Sequence, residues 1–159
     1  VLEVAGEVTD RTACCILVDK EEIGSVGATG MQSRFFENMT AELMELMGEY
    51  SELNLRRCLS NSTMLSSDVS AGYDPNAEYM AHIREIMDSS DVVFQTAELG
   101  KVDVGGGGTI AYIMALYGMN VIDCGVAVLN MHAPWEATSK ADVYETKRGY
   151  VAFLKKAGL

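Results

Sequence analysis

Strand-like and helix-like hydrophobic patterns alternate along the whole chain, and this alternation constrains the fold more than any other feature. Residues 12–19 (TACCILVD) are apolar on both faces and end in charge, the mark of a buried, parallel strand. After a glycine-rich loop, Met31, Phe35, Met39, Leu43 and Leu46 fall on one helical stripe, starting near Thr29 and ending near Gly48. Residues 53–69 are mixed, with a strand expected at 62–67 that runs into Asp68. Pro75 opens a second helix, whose apolar side is Tyr79, Met80, Ile83, Ile86 and Met87. A third strand is expected at 91–98 (DVVFQTAE). The glycine run 105–108 leads into a helix that stops at Gly118, and 120–131 supplies one or two further strands. Ser139 and Asp142 start a last helix that turns Tyr144, Val151 and Leu154 inward. This order predicts an α/β fold of three layers, a mostly parallel sheet with helices on both faces. A chain of 159 residues suffices for one such domain, and no internal repeat or second domain is visible.

Charge narrows the partners. Twelve basic against 23 acidic residues give a formal charge of −11, which repels phosphate backbones and argues against nucleic acid. The longest apolar runs are too short and too interrupted to span a membrane. Cys14, Cys15, Cys58 and Cys124 lack CxxC or zinc-ribbon spacing and read as small apolar residues of a reduced, cytoplasmic interior. Carboxylates in excess suit cations.

In open α/β sheets, ligands gather at the carboxyl ends of the strands. Asp19, Glu21 and Glu22 follow the first expected strand, Asp68 the second, and His132 the strand that ends at Met131. Carboxylates and an imidazole converging from separate strand ends make the donor set of a hydrolytic zinc site. A further glutamate left off the metal could then deprotonate the attacking water. Each residue also has a plainer explanation. The Glu pair could be solvated loop charge, Asp68 a turn residue or helix cap, and His132 an interior histidine bonded to backbone. His82 lies within a helical pattern and reads as surface or packing. The run 105–108 resembles an anion-binding helix start, but no P-loop lysine follows, so a close backbone approach is the better reading.

Four segments together resemble the aspartyl aminopeptidase family, dinuclear zinc exopeptidases that include the vacuolar aminopeptidase. They are DKEEIGSVGATG (19–30), SSDVSAGYDPN (66–76), KVDVGGGGTIA (101–111) and VIDCGVAVLNMHAPWE (121–136), in the family's order and extending over most of the chain. The resemblance implies a zinc-exopeptidase-like catalytic domain that removes N-terminal residues from peptide substrates. It implies that Glu21 is the general base and Glu22 a ligand of one zinc. Asp68 would bind the other zinc, and His132 would complete the Glu22 zinc. Asp103, Gly106, Gly107 and Gly108 match a segment on the substrate side. Two metals roughly 3.5–4 Å apart would polarise the scissile carbonyl and hold the peptide's free amino terminus. The same likeness implies a large homo-oligomer, with a tetrahedral dodecamer as its expected form.

The chain departs from the family pattern in several places. The upstream HxD histidine and the bridging aspartate are not visible. Asp10-Arg11 lies too close to Glu21 to take the bridging role. The family's inserted dimerisation domain is absent. Pro75 runs directly into Asn76 where the family continues through another strand, and Asp74 stands where a His is common. The opening VLEVAGEVTDR reads as the tail of a helix and a linker. The expectation is therefore a portion of a longer zinc aminopeptidase, missing a stretch between Pro75 and Asn76. Taken alone it would hold an incomplete metal centre and be inactive. The alternatives are a non-enzymatic assembly or binding module, and a phosphate binder at the glycine run.

Overall fold

The computed structural model describes residues 2–7, 9–67, 77–96 and 110–158. In chain order the elements are a 3-10 turn (Glu21–Ile23), helices α1 (Phe35–Leu46) and α2 (Glu52–Ser60), strand β1 (Thr63–Ser66), and helices α3 (Ala77–Asp88) and α4 (Ile110–Ala115). Strands β2 (Asn120–Asp123), β3 (Val128–Leu129) and β4 (Ala137–Thr138) follow, and then helix α5 (Lys140–Lys156). The chain forms two compact units, one of Val1–Cys15, Leu65–Gly105 and Ile122–Leu159, the other of Ile16–Met64 and Gly106–Val121. The composition of helices and strands is that of an α/β protein.

The second unit is built on methionine. Met31, Met114 and Met119 are buried with Leu55 and Leu59, and Met44 and Met64 pack against them. Unbranched thioethers fill the irregular space between three short helices. Helix α2 lies in the stretch that reads as mixed in sequence. Ser51 caps it by accepting the Asn54 N–H at 3.1 Å, Glu52 pairs with Arg56 at 2.6 Å, and Leu55 and Leu59 bury one turn apart. Helix α1 corrects the expected stripe by one residue and starts at Phe35, not near Thr29. Phe36 and Met44 pack on the core, whereas Phe35 is 66% and Leu46 83% exposed. The doublets Phe35-Phe36 and Leu43-Met44 permit either rotation. The edge contact of Phe36 with Tyr117, centroids 6.4 Å apart, accompanies the observed one.

In the first unit α3 lies against α5. Tyr79, Ile83, Ile86 and Met87 on α3 bury with Val92, Ile122, Ala152 and Phe153, as the periodicity of α3 predicts. Gly149 lets the helices close, since a Cβ there would stand 3.3 Å from the Met87 sulfur. The inward face of α5 is thus Gly149, Ala152 and Phe153, and the expected Tyr144 is 58% exposed. Ser139 caps α5 through the Ala141 N–H at 3.1 Å. Lys156 reaches back to the Ser89 carbonyl and to the hydroxyls of Ser89 and Ser90, satisfying groups just past the end of α3.

β1 and β2 pair with each other. The Asn120 N–H donates to Ser62 O at 3.2 Å and the Cys124 N–H to Ser66 O at 2.7 Å. Both partners advance together along the chain, so the pairing is parallel. β3 and β4 form an antiparallel ribbon with Val128 opposite Thr138 and Leu129 opposite Ala137.

Two expected strands form no ladder within the described residues, and residues 97–98 of the second lie outside them. Residues 12–19 form no ladder and Leu17 is 94% exposed. An apolar run becomes a buried strand only where neighbours supply hydrogen bonds and cover, and no strand among the described residues pairs with it. Cys14 and Cys15 are accordingly exposed, and Cys58 on α2 is exposed as well, contrary to the interior expected for them. Residues 92–96 also lack a ladder. The Val93 N–H is taken at 2.9 Å by the Glu145 carboxylate, which Arg148 grips while also donating to Ser90 O. That side-chain acceptor replaces the strand partner. No helix among the described residues is long and apolar enough to cross a membrane.

Candidate functional site

Glu21 and Glu22 sit in a turn wound tightly by its own backbone. Lys20 enters it at φ 63° and Gly24 leaves it at φ 86°, donating its N–H to Glu21 O at 2.8 Å. Ser25, only 3% exposed, donates its N–H to Lys20 O at 2.7 Å and receives the Gln32 N–H on its carbonyl at 3.0 Å. The Gln32 side-chain amide closes the loop on Gly24 O at 2.6 Å. Gly30 lies flat against Ser25, where a Cβ would come within 2.1 Å of the Ser25 carbonyl oxygen. At the entrance, the Thr29 hydroxyl donates to Asp19 at 2.9 Å, and this bond, with Lys20 beside it, holds the Asp19 carboxyl below its ordinary range. Gly24, Gly27 and Gly30 recur every third residue, a spacing that marks this closure beyond simple glycine richness.

Successive residues of a 3-10 turn point about 120° apart. Glu21 and Glu22 therefore cannot serve one partner equally. Glu21 is half-buried and Glu22 exposed, which suits them to different tasks.

His132 lies on the loop 130–136, which joins β3 to β4. Asn130 takes φ 58° and His132 φ 63°. The Ala133 N–H donates to Asn130 O at 2.9 Å, and the His132 N–H to the Glu136 carboxylate. A left-handed histidine costs on the order of 1 kcal/mol, and such strain collects at functional positions. The imidazole itself is exposed, so the interior reading of His132 does not apply.

The Glu pair belongs to one compact unit and His132 to the other. Asp68, Asp103, Gly106, Gly107, Gly108 and the junction of Pro75 with Asn76 lie outside the described residues. Among the described residues, no three His, Cys, Asp or Glu side chains gather into a metal cage. The donors present nevertheless suit zinc. A carboxylate oxygen and an imidazole nitrogen are its ordinary ligands, and Glu22 and His132 offer theirs from exposed positions.

Comparison with known proteins gives one answer. The family model described as aminopeptidase I zinc metalloprotease (M18) matches residues 3–80 and 76–154. A Clostridium acetobutylicum protein named "Probable M18 family aminopeptidase 1" is 56% identical over 179 residues, covering 91% of this chain and 38% of that relative. The crystal structure of aminopeptidase I from the same organism superposes with a TM-score of 0.71 at 53% identity, over 86% of this chain and 37% of that one. The M18 aminopeptidase structure from Thermotoga maritima gives 0.79 at 34% identity, over 87% and 39%. The chain thus spans under half the length of these relatives. With the family model matching residues 3–80 and 76–154 and a relative at 56% identity, the chain belongs to the peptidase M18 family of aminopeptidase I zinc metalloproteases.

Proposed function

We propose that the full-length protein containing this chain is a zinc-dependent aminopeptidase that removes N-terminal residues from peptides. The observation that carries this reading is the locked Glu21–Glu22 turn, two divergent carboxylates on a rigid frame within a chain of this family. Glu22, Asp68 and His132 are the proposed zinc ligands, with two ions per site. Zinc, when bound, polarises the scissile carbonyl and makes water a better nucleophile. Glu21 takes a proton from the attacking water and delivers it to the departing amine nitrogen. The Lys20–Ser25 hydrogen bonds fix the backbone that carries both carboxylates, so orientation is set before the peptide arrives. Asp103 and Gly106, Gly107 and Gly108 are assigned to the substrate side.

The finer architecture belongs to the same reading: one catalytic domain with a three-layer, mostly parallel sheet, in a homo-oligomer. The exposed apolar run 12–19 would then be a strand whose neighbours come from outside this chain. Two observations support a stretch missing near Pro75. The alignment with the Clostridium relative runs over 179 residues, more than the chain's 159, so that relative carries residues this chain lacks, and the two stretches matched by the family model overlap at 76–80, beside Pro75.

The test is release of N-terminal residues from short peptides by the full-length protein. Activity should vanish on chelation and return with added zinc, and the bare 159-residue chain should show none. Turnover that survives chelation would contradict a metal-dependent peptidase, and an active bare chain would contradict its incompleteness.

A further inference from the structure

A cleft of about 440 Å³ opens within the second compact unit, between the first turn of α1, the last turns of α2 and the turn that follows α4. That volume falls in the range of small-molecule sites. Its charged groups are unevenly paired. Arg56 commits its Nε and Nη2 to Glu52 Oε1, at 3.1 and 2.6 Å, and keeps Nη1 free. The neighbouring Arg57 guanidinium takes no partner among the described residues, although the chain has 23 acidic residues against 12 basic ones. Glu37 gives Oε2 to Arg34 at 3.2 Å and leaves Oε1 unbonded among the described residues. The Tyr117 hydroxyl is likewise unbonded there; burial and the nearby Glu37 carboxylate push its pKa up, so it stays a donor at neutral pH. The edge contact with Phe36 fixes its ring, and Gly118 brings its turn onto α2, where a Cβ would stand 3.4 Å from the Ser60 Cβ. The apolar wall is Leu59, which is buried, and Leu116, which is 71% exposed and lacks cover.

A plain anion would suit Arg57 but meet the Glu37 carboxylate, and a plain cation would meet the reverse. A zwitterion satisfies both. We infer that this cleft binds a free α-amino acid with an apolar side chain. The ligand carboxylate takes the planar fork of Arg57, a geometry that a guanidinium matches with two parallel N–H donors. The ligand ammonium donates to Glu37 Oε1, and its side chain covers Leu116. None of these residues belongs to the Glu21–Glu22 turn or is a proposed zinc ligand, so binding here does not depend on the peptidase reading.

The test is calorimetric titration of the full-length protein with L-leucine, isocaproate and isoamylamine, alongside thermal unfolding. The two analogues keep the apolar body and lack the ammonium and the carboxylate, respectively. L-Leucine should bind, and each analogue should bind roughly 10–100-fold more weakly, the range for a lost charge-assisted bond. Arg57→Ala and Glu37→Gln should each weaken L-leucine by a similar factor. The Arg57 guanidinium has no protein partner to lose and alanine favours the helix, so Arg57→Ala should leave the unfolding temperature unchanged. Absence of L-leucine binding, or an affinity unchanged in either variant, would overturn the proposal. Isocaproate binding as tightly as L-leucine would make the cleft a plain anion site and overturn it too. Peptide hydrolysis should persist in Arg57→Ala. A wild-type protein that fails to hydrolyse peptides yet binds L-leucine through Arg57 would end the peptidase reading alone.

Discussion

Glu21→Gln in the full-length protein should lower peptide hydrolysis by about 10²–10⁴-fold, the usual contribution of a positioned general base, while zinc content stays unchanged. Glutamine is isosteric and keeps the turn. The backbone bonds from Gly24 to Glu21 O and from Ser25 to Lys20 O do not involve the side chain. What is lost is the capacity to take a proton. The companion Glu22→Gln separates the roles. As a proposed ligand, Glu22 should lose zinc together with activity. Assay of rate and metal content on the same samples distinguishes a base from a ligand. If Glu21→Gln loses zinc, or retains its rate, the base assignment is wrong.

Gly30→Ala should unfold the turn that carries both carboxylates. The added methyl would stand 2.1 Å from the Ser25 oxygen, 2.4 Å from the Ser25 carbonyl carbon and 2.6 Å from the Val26 oxygen. All three are backbone atoms and cannot swing aside. Relief requires moving residues 25–26, which breaks the Gln32-to-Ser25 and Ser25-to-Lys20 hydrogen bonds. Overpacking of about 1–3 kcal/mol adds to about 1 kcal/mol for each bond lost. The local cost is therefore about 3 kcal/mol or more. Gly24→Ala is the control. Its Cβ would meet nothing within 4 Å, so only the φ of 86° opposes it, at about 1 kcal/mol. Hydrogen exchange at Ser25 and Gln32 should rise far more in Gly30→Ala than in Gly24→Ala. Equal effects would mean that Gly30 and Ser25 do not make the close contact.

Local patterns were legible where one element decides its own fate. Helix α3 shows its buried face in Tyr79, Ile83, Ile86 and Met87, and Ser139 marks the start of α5. β1 stands where an apolar run shortly precedes Asp68. Patterns that need a partner were less so. Residues 12–19 have the composition of a central strand, yet strand character depends on neighbours that sequence composition does not supply. Val93 could not be read as bonded to Glu145, since 52 residues separate them. The rotation of α1 was ambiguous because apolar doublets offer two stripes. At the candidate site, the Glu pair and its glycines were readable as a loop of unusual chemistry. The contact of Gly30 with Ser25 and the cleft beside Arg57 are tertiary facts without a local signature.

Anomalous scattering at the zinc edge from crystals of the zinc-loaded full-length protein would locate the metals and their ligands. Two neighbouring peaks are expected within coordination distance of side chains that include Glu22, Asp68 and His132, with Glu21 beside them but unbound. Peaks held by other residues, with the His132 imidazole beyond reach of any metal, would contradict these assignments.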